Sequence, residues 1–271
     1  VVILYFGDIF GKVGRCAVRA ALPEIVANHT PDFILGNVEN LAGGRGITRR
    51  VFRELLDMGF HGFTAGNHTW DNRDLLQWID GEERLFRPAN YPSPADDPCP
   101  GRGYGVLCAG DKRLFVVNLM GRVFMDAIDC PFAKVDEILK ANTTPFPVFV
   151  DMHADATSEK YAMGWHLAGR VAAVVGSHSH VQTADERVLP GGTAYITDVG
   201  MNGAFDSVIG MRPQEVIRRF RTKRPFRYDP AKENPGVSYV VIRLDPRGKA
   251  VSIQRFRYTV SLPEALLGDL E

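Results

Sequence analysis

The chain has few cysteines, no net charge and no long apolar run. Its four cysteines (Cys16, Cys99, Cys108, Cys130) occur in 271 residues with no C-x-x-C spacing. A domain of this size needs no disulfide framework, so they read as reduced thiols, mostly in the core. The 32 Lys and Arg residues balance 32 Asp and Glu. The overall basic footprint of a non-specific polynucleotide binder is therefore missing, and a small anionic substrate drawn to a local positive site fits better. No stretch approaches the roughly 20 apolar residues of a membrane span. There is no internal repeat and no low-complexity segment. The first residues, Val1-Val2-Ile3-Leu4-Tyr5-Phe6-Gly7-Asp8, carry neither a basic leader nor a small-residue cleavage site. They read as a buried strand, and cytoplasmic residence is the expectation.

What is present is a globular composition, 45% hydrophobic and 24% charged, and a β-to-α rhythm. Strands are expected over Val1 to Phe6, Asp32 to Val38 and Phe60 to Ala65. Helices are expected from about Arg15 to Asn28, from a Thr48 cap to Met58 with Gly59 ending it, and from Asn72 to Ile79. The Pro- and Gly-rich stretch from Phe86 to Gly105 reads as an irregular connection to a second sheet. Leu114 to Leu119, Pro147 to Met152 and Val171 to Gly176 read as strands, with helices near Ala133 to Lys140 and Ser158 to Leu167. Shorter strands near Val188, Ala194 to Asp198, Val237 to Leu244 and Ala250 to Tyr258 follow, and the tail from Pro263 reads as a short helix. One domain over residues 1–271 accommodates all of this.

The chemistry sits just after the strands: Gly7-Asp8, Glu39-Asn40, Gly66-Asn67-His68, Asp151-Met152-His153 and Gly176-Ser177-His178-Ser179-His180. Ligands of α/β sheets bind beyond the carboxyl ends of strands, where these motifs fall. Carboxylates, amides and imidazoles so widely separated suit a metal site assembled from loops, whereas a helical zinc motif places its ligands one turn apart. His178 and His180, two apart, share a face of an extended segment and could each address a neighbouring ion.

Gly66-Asn67-His68, the isolated His153 and Gly176-Ser177-His178-Ser179-His180 resemble the signatures of the calcineurin-like metallophosphoesterase superfamily. With Gly7 to Arg15, Val38 to Gly44 and His153 to Lys160, nearly the whole chain resembles the YmdB-like subfamily. The resemblance implies an α/β fold, a four-layer α/β/β/α sandwich with two mixed sheets and a dinuclear centre above them. Asp8, Glu39, Asn40 and His180 would hold one ion, and Glu39, Asn67, His153 and His178 the other, with Glu39 as bridge. The superfamily's usual D-x-H is here Asp8-Ile9-Phe10, and the usual bridging Asp is Glu39. Asn40 then supplies a neutral oxygen in place of the lost imidazole, a harder site that favours Fe or Mn, with Zn as a further option.

Two divalent ions against only two carboxylates leave the centre electropositive. Such a centre attracts a phosphate ester and makes metal-bound hydroxide available at neutral pH for attack on phosphorus. His68 is the candidate general acid for the leaving alkoxide. Lys12, Arg15, Arg45 and Arg122 are candidate substrate contacts. The cluster Arg218, Arg219, Arg221, Lys223, Arg224 and Arg227 reads as a solvated surface around an oligomer contact near Met201 to Phe226, with RNA or an acidic partner face as the other reading. His29, His61 and His166 lie off the strand ends, and Trp70 and Trp165 read as core or loop packing. The resemblance implies a phosphodiesterase for 2′,3′-cyclic nucleoside monophosphates. The rivals are a phosphomonoesterase or protein phosphatase on the same centre, and a regulatory or RNA-associated protein whose metal site is mainly structural.

Overall fold

The computed structural model describes residues 1–263. Its strands in chain order are β1 (Val2–Phe6), β2 (Asp8–Ile9), β3 (Phe33–Asn37), β4 (Gly62–Thr64), β5 (Leu85–Phe86), β6 (Tyr104–Ala109), β7 (Lys112–Met120), β8 (Val148–His153), β9 (Ala173–Ser177), β10 (Arg187–Leu189), β11 (Thr193–Ile196), β12 (Met201–Ala204), β13 (Pro235–Leu244) and β14 (Ala250–Thr259). The helices are α1 (Gly11–His29), α2 (Arg49–Asp57), α3 (Pro131–Ala141), α4 (Thr157–Leu167) and α5 (Pro213–Thr222). The larger sheet runs β2-β12-β13-β1-β3-β4-β5, with β14 also on β13, and the smaller runs β10-β11-β9-β8-β7-β6. Both are mixed. β1, β3, β4 and β5 are parallel, as are β7, β8, β9 and β11, while β13 is antiparallel to β1 and β14.

Side chains alternate across a strand, and here both faces are covered, so each central strand reads as an unbroken apolar run. Leu4 and Phe6 of β1 join Val18, Leu22 and Ile25 of α1 and Phe52 and Leu55 of α2 in one cluster. Ile3 and Tyr5, pointing the other way, meet Val116, Phe149 and Val175 of the smaller sheet. That sheet's opposite face, Val117, Val150 and Val174, packs on Val135 and Ile138 of α3 and Met163 and Leu167 of α4. The parallel strands of both sheets end on one edge of the molecule, where the polar motifs emerge.

Several boundaries differ from expectation. α1 starts at Gly11, not near Arg15, because Gly11 N–H already donates to the Asn40 carbonyl and Gly14 N–H to that of Phe10. Thr48 stands at the start of α2 but its side chain makes no capping bond; the Asp74 carboxylate accepts from Arg49 N–H instead, at 2.7 Å. The helix expected over Asn72 to Ile79 is two short 3-10 turns, Arg73–Gln77 and Ile79–Gly81. Asn72 accepts from Asp74 N–H, and Trp78, at φ −142°, interrupts the turn to bond Asp74 through its indole. β2, β5, β6, β12 and α5 are additional to the expected elements. Of the four cysteines only Cys16 is buried, and Cys108 is exposed. Trp165 is likewise half exposed, with the Arg187 guanidinium 5.4 Å from its ring. The helix expected from Pro263 lies outside the described residues. Among the described residues no helix is long and apolar enough to cross a membrane.

Candidate metal centre

Each motif residue is delivered by a strand end. Asp8 follows β1 and is held in place by its own N–H to the Gly200 carbonyl. Glu39 and Asn40 follow β3, Asn67 and His68 follow β4, His153 is the last residue of β8, and His178 and His180 follow β9. The imidazoles need unusual backbone: His178 and His180 have φ of 101° and 65°, the left-handed region that costs a non-glycine residue of order 1–3 kcal/mol. Asp198 holds that turn. Its carboxylate accepts from Ser179 N–H and Gly200 N–H and is paired with the buried Lys160 ammonium at 2.7 Å.

Four donor atoms converge on one point. His153 Nε2 lies 3.0 Å from Asn67 Oδ1, 3.1 Å from His178 Nδ1 and 3.2 Å from Glu39 Oε1. Glu39, His153 and His178 all offer an atom within 4.8 Å of one another. Adjacent ligands of an octahedral ion with bonds of about 2.1 Å sit about 3.0 Å apart, so the spacing suits a cation. Gly66 makes room: a Cβ there would fall 2.2 Å from His153 Nε2.

A second constellation lies beside it. His180 Nε2 is 3.3 Å from Asn40 Oδ1 and 3.9 Å from Asp8 Oδ1. Asp8 is fully buried and its Oδ1 has no hydrogen-bond partner, while Oδ2 accepts from His178 N–H. A buried carboxylate oxygen left unpaired is costly unless a cation meets it. The amide and imidazole are pre-oriented. Asn40 donates its Nδ2–H to the Gly44 carbonyl, turning Oδ1 inward, and His180 Nδ1 bonds the Ile209 carbonyl, leaving Nε2 to face Asn40 Oδ1 and Asp8 Oδ1. The donor set therefore fits two cations.

The charges are coupled. Burial raises the Asp8 carboxyl, opposed by His180 and His153. Burial also raises Glu39, but the His153 charge and hydrogen bond, with His68 N–H, bring it well below the carboxylate range. His153 is depressed by burial yet lifted overall to about 9 by Glu39, Asp8 and Asp151. His178, desolvated and beside His153, falls to about 3 and is neutral.

Beneath His153 lies a buried polar network that sequence reasoning missed. Asp151 accepts from Tyr5 at 2.7 Å, Thr64 at 2.5 Å and Ser177 at 2.8 Å. Ser177 has one proton, and Asp151 takes it, so Ser177 Oγ accepts from His153 Nδ1–H at 2.8 Å. Nε2 is thereby the nitrogen offered to the centre. The available signal was a charged residue inside the apolar run Pro147 to Met152. Such supports are worth about 10- to 100-fold in metal affinity. Ser177→Ala is expected to raise the Kd for Mn²⁺ by that factor in calorimetry; an unchanged Kd would remove Ser177 from this role.

Of the other expected site residues, His68 is near the rim, its N–H donating to Glu39 and its Nδ1 2.8 Å from Asp71 Oδ2. Lys12, Arg45 and Arg122 are exposed. Arg122 N–H donates to Glu159, which anchors the loop after β7. Arg15 is not free for substrate. It is buried, with Nε on Glu54 and Nη1 on the Leu41 carbonyl, so it ties down the loop carrying Glu39 and Asn40.

Comparison with known proteins gives the chain full-length relatives. The chain is 45% identical over 256 residues to the 2′,3′-cyclic-nucleotide 2′-phosphodiesterase of Bacillus subtilis (strain 168), covering 93% of this chain and 95% of that one. The crystal structure of a novel phosphatase from Mycoplasma pneumoniae superposes with a TM-score of 0.90 at 30% identity, over 99% of this chain and 96% of that one. A hypothetical protein from Thermus thermophilus superposes at 0.89 and 36% identity, over 96% and 100%. A 5′-nucleotidase precursor from the same organism, 13% identical, shares only the fold, at a TM-score of 0.60 over 57% of its length. The family model described as YmdB-like protein matches residues 4–256, and the chain is a member of that family.

Proposed function

We propose that this protein is a dinuclear metal-dependent phosphodiesterase that opens 2′,3′-cyclic nucleoside monophosphates. The observation that carries the reading is the convergence of Glu39, Asn67, His153 and His178 within 3.2 Å of His153 Nε2, beside the orphaned Asp8 oxygen. The full-length similarity to a phosphodiesterase of that substrate class supports it. In this reading Asp8, Asn40 and His180 would hold one ion and Asn67, His153 and His178 the other, with Glu39 available to both. The core clusters support a four-layer α/β/β/α sandwich and a single domain.

When bound, the ions supply Lewis acidity, activating water and neutralising the phosphate. The oxygen-rich site around Asp8 and Asn40 favours Fe or Mn over Zn. The chain's own residues do the rest. Water adds to phosphorus, the bond to the 2′ oxygen breaks, and that oxygen leaves needing a proton. His68 supplies it from Nε2, because Nδ1–H is committed to Asp71. The product is a nucleoside 3′-phosphate. Lys12, Arg45 and Arg122, exposed beyond the ends of β2, β3 and β7, are the candidate contacts for the anionic substrate or the product.

The test pairs elemental analysis with hydrolysis of 2′,3′-cyclic AMP and of a phosphomonoester under Fe and Mn loading. About two ions per chain and faster diester turnover are expected. A monoester preference would transfer the centre to the phosphatase reading, and metal without turnover of either ester would end the enzymatic one.

A further inference from the structure

We propose that the segment Ile217 to Arg227 is a binding surface for single-stranded RNA, and that the phosphodiesterase acts on RNA ends carrying a 2′,3′-cyclic phosphate. This rests on the function proposed above and extends its substrate from mononucleotides to oligoribonucleotides. The segment holds Arg218, Arg219, Arg221, Lys223, Arg224 and Arg227 without a single acidic residue, in a chain of zero net charge. None of the six is in an ion pair among the described residues. Arg219 and Arg221 in the last turn of α5 and Lys223 at its C-cap complement the helix dipole, but Arg218, Arg224 and Arg227 have no such local use.

The aromatic content separates this surface from an ordinary solvated face. Phe220 is 67% and Ile217 51% exposed, and Val216 is the only buried residue of α5. Arg218 lies over Phe226 at 4.7 Å, Arg219 over Tyr228 at 5.6 Å and Lys223 over Phe220 at 6.0 Å. Cations interleaved with rings are what a single strand requires: charge for the phosphates, rings and guanidinium planes on which bases stack in any sequence. A symmetric contact with a second copy would set this cationic run against itself. A polyanion is the better occupant.

The segment is tethered to the metal centre by a short length of chain. His180 Nδ1 bonds the Ile209 carbonyl, Met211 bridges Pro230, and α5 begins at Pro213. Four residues of linking chain at ~3.5 Å each and five of helix at 1.5 Å place Arg218 within about 22 Å of Ile209. A strand of about 10 nucleotides, within the usual site size of such surfaces, would span that distance with its 3′ end at the centre.

The experiment uses the metal-loaded full chain, 2′,3′-cyclic AMP and a 10-nucleotide RNA ending in 2′,3′-cyclic phosphate. It compares wild type with the triple variant Arg218→Gln/Arg221→Gln/Arg224→Gln and the single variant Arg221→Gln. Wild type is expected to prefer the RNA. Three lost phosphate contacts lower the salt slope by about 2, so between 50 and 200 mM salt wild type loses roughly 20-fold more kcat/KM on RNA than the triple variant does. Arg221→Gln gives about a third of the slope change, and cyclic AMP turnover stays within twofold in both, which also reports intact folding. Anisotropy with the same RNA ending in an uncleaved 3′-phosphate reads binding apart from chemistry. Cyclic AMP turnover without preference for RNA, or unchanged RNA binding in the triple variant, overturns the surface alone. No turnover of either substrate by wild type overturns the phosphodiesterase and this inference together. A triple variant that turns monomeric in sedimentation yet takes RNA like wild type assigns the segment to a second copy and overturns the proposal.

Discussion

His68→Ala is expected to lower kcat on an alkyl phosphodiester by about 10²- to 10⁴-fold, the usual worth of a positioned general acid. The loss should depend on the leaving group. A nitrophenolate departs as a stable anion and needs no proton, so turnover of a nitrophenyl diester should fall far less. Metal content should not change, because His68 meets Glu39 only through its backbone N–H. Asp71→Asn should lower kcat by a smaller factor, since it removes the charge that holds Nδ1 at 2.8 Å while leaving the imidazole in place. Equal losses on the alkyl and nitrophenyl esters would show that His68 does not act as the acid.

Glu39→Gln is expected to cost about 10²- to 10³-fold in kcat/KM, with loss of at least one ion. The substitution keeps the shape of a side chain that is 1% exposed and removes only its charge. The effect has a pH signature. His153, lifted to about 9 in the metal-free protein, must shed its Nε2 proton to bind an ion, so wild-type affinity should rise about tenfold per pH unit from 7 up to about 9. Without the Glu39 charge, His153 drops toward its ordinary value, and the variant should bind weakly with little pH dependence over that range. The metal-free fold moves the opposite way. The raised His153 contributes stability fully below about 6.5 and loses it as pH rises through about 9, so the wild-type apoprotein should melt lower at pH 9.5 than at pH 6. Calorimetric titration at pH 7 and 9 checks the first point; a variant binding two ions at wild-type affinity would remove Glu39 from the centre.

The residues that converge on the candidate centre were legible because each stands at or just past the end of a buried apolar strand, where the polarity change is abrupt. Asp8, Glu39, Asn67, His153 and His178 all carry that mark. Their supports were hidden for the converse reason. Asp151 and Ser177 lie inside strands, and their partners Tyr5 and Thr64 come from the facing sheet, so no local spacing joins them. Arg15 has a cation's usual surface signature, yet α1 starts early enough to turn it beneath the loop of Leu41. The 3-10 turns after Asn72 were hidden by a helix-like pattern, because the bond that ties the Asp74 carboxylate to Arg49 N–H comes from another element.

The pairing of β1 with β13 joins Val2 to Arg243 and Phe6 to Tyr239, contacts about as distant in sequence as the chain permits. Gly7 N–H closes on the Ser238 carbonyl and Asp8 N–H on that of Gly200. During synthesis, Asp8 and Glu39 emerge long before the strand that fixes β1 in its sheet. Non-local pairings of this kind form slowly. A nascent chain thus displays the carboxylates of the centre without its imidazoles and without the register that faces them together. Any ion the centre takes would therefore be chosen only once β13 has closed on β1, from whatever metal the surroundings then hold.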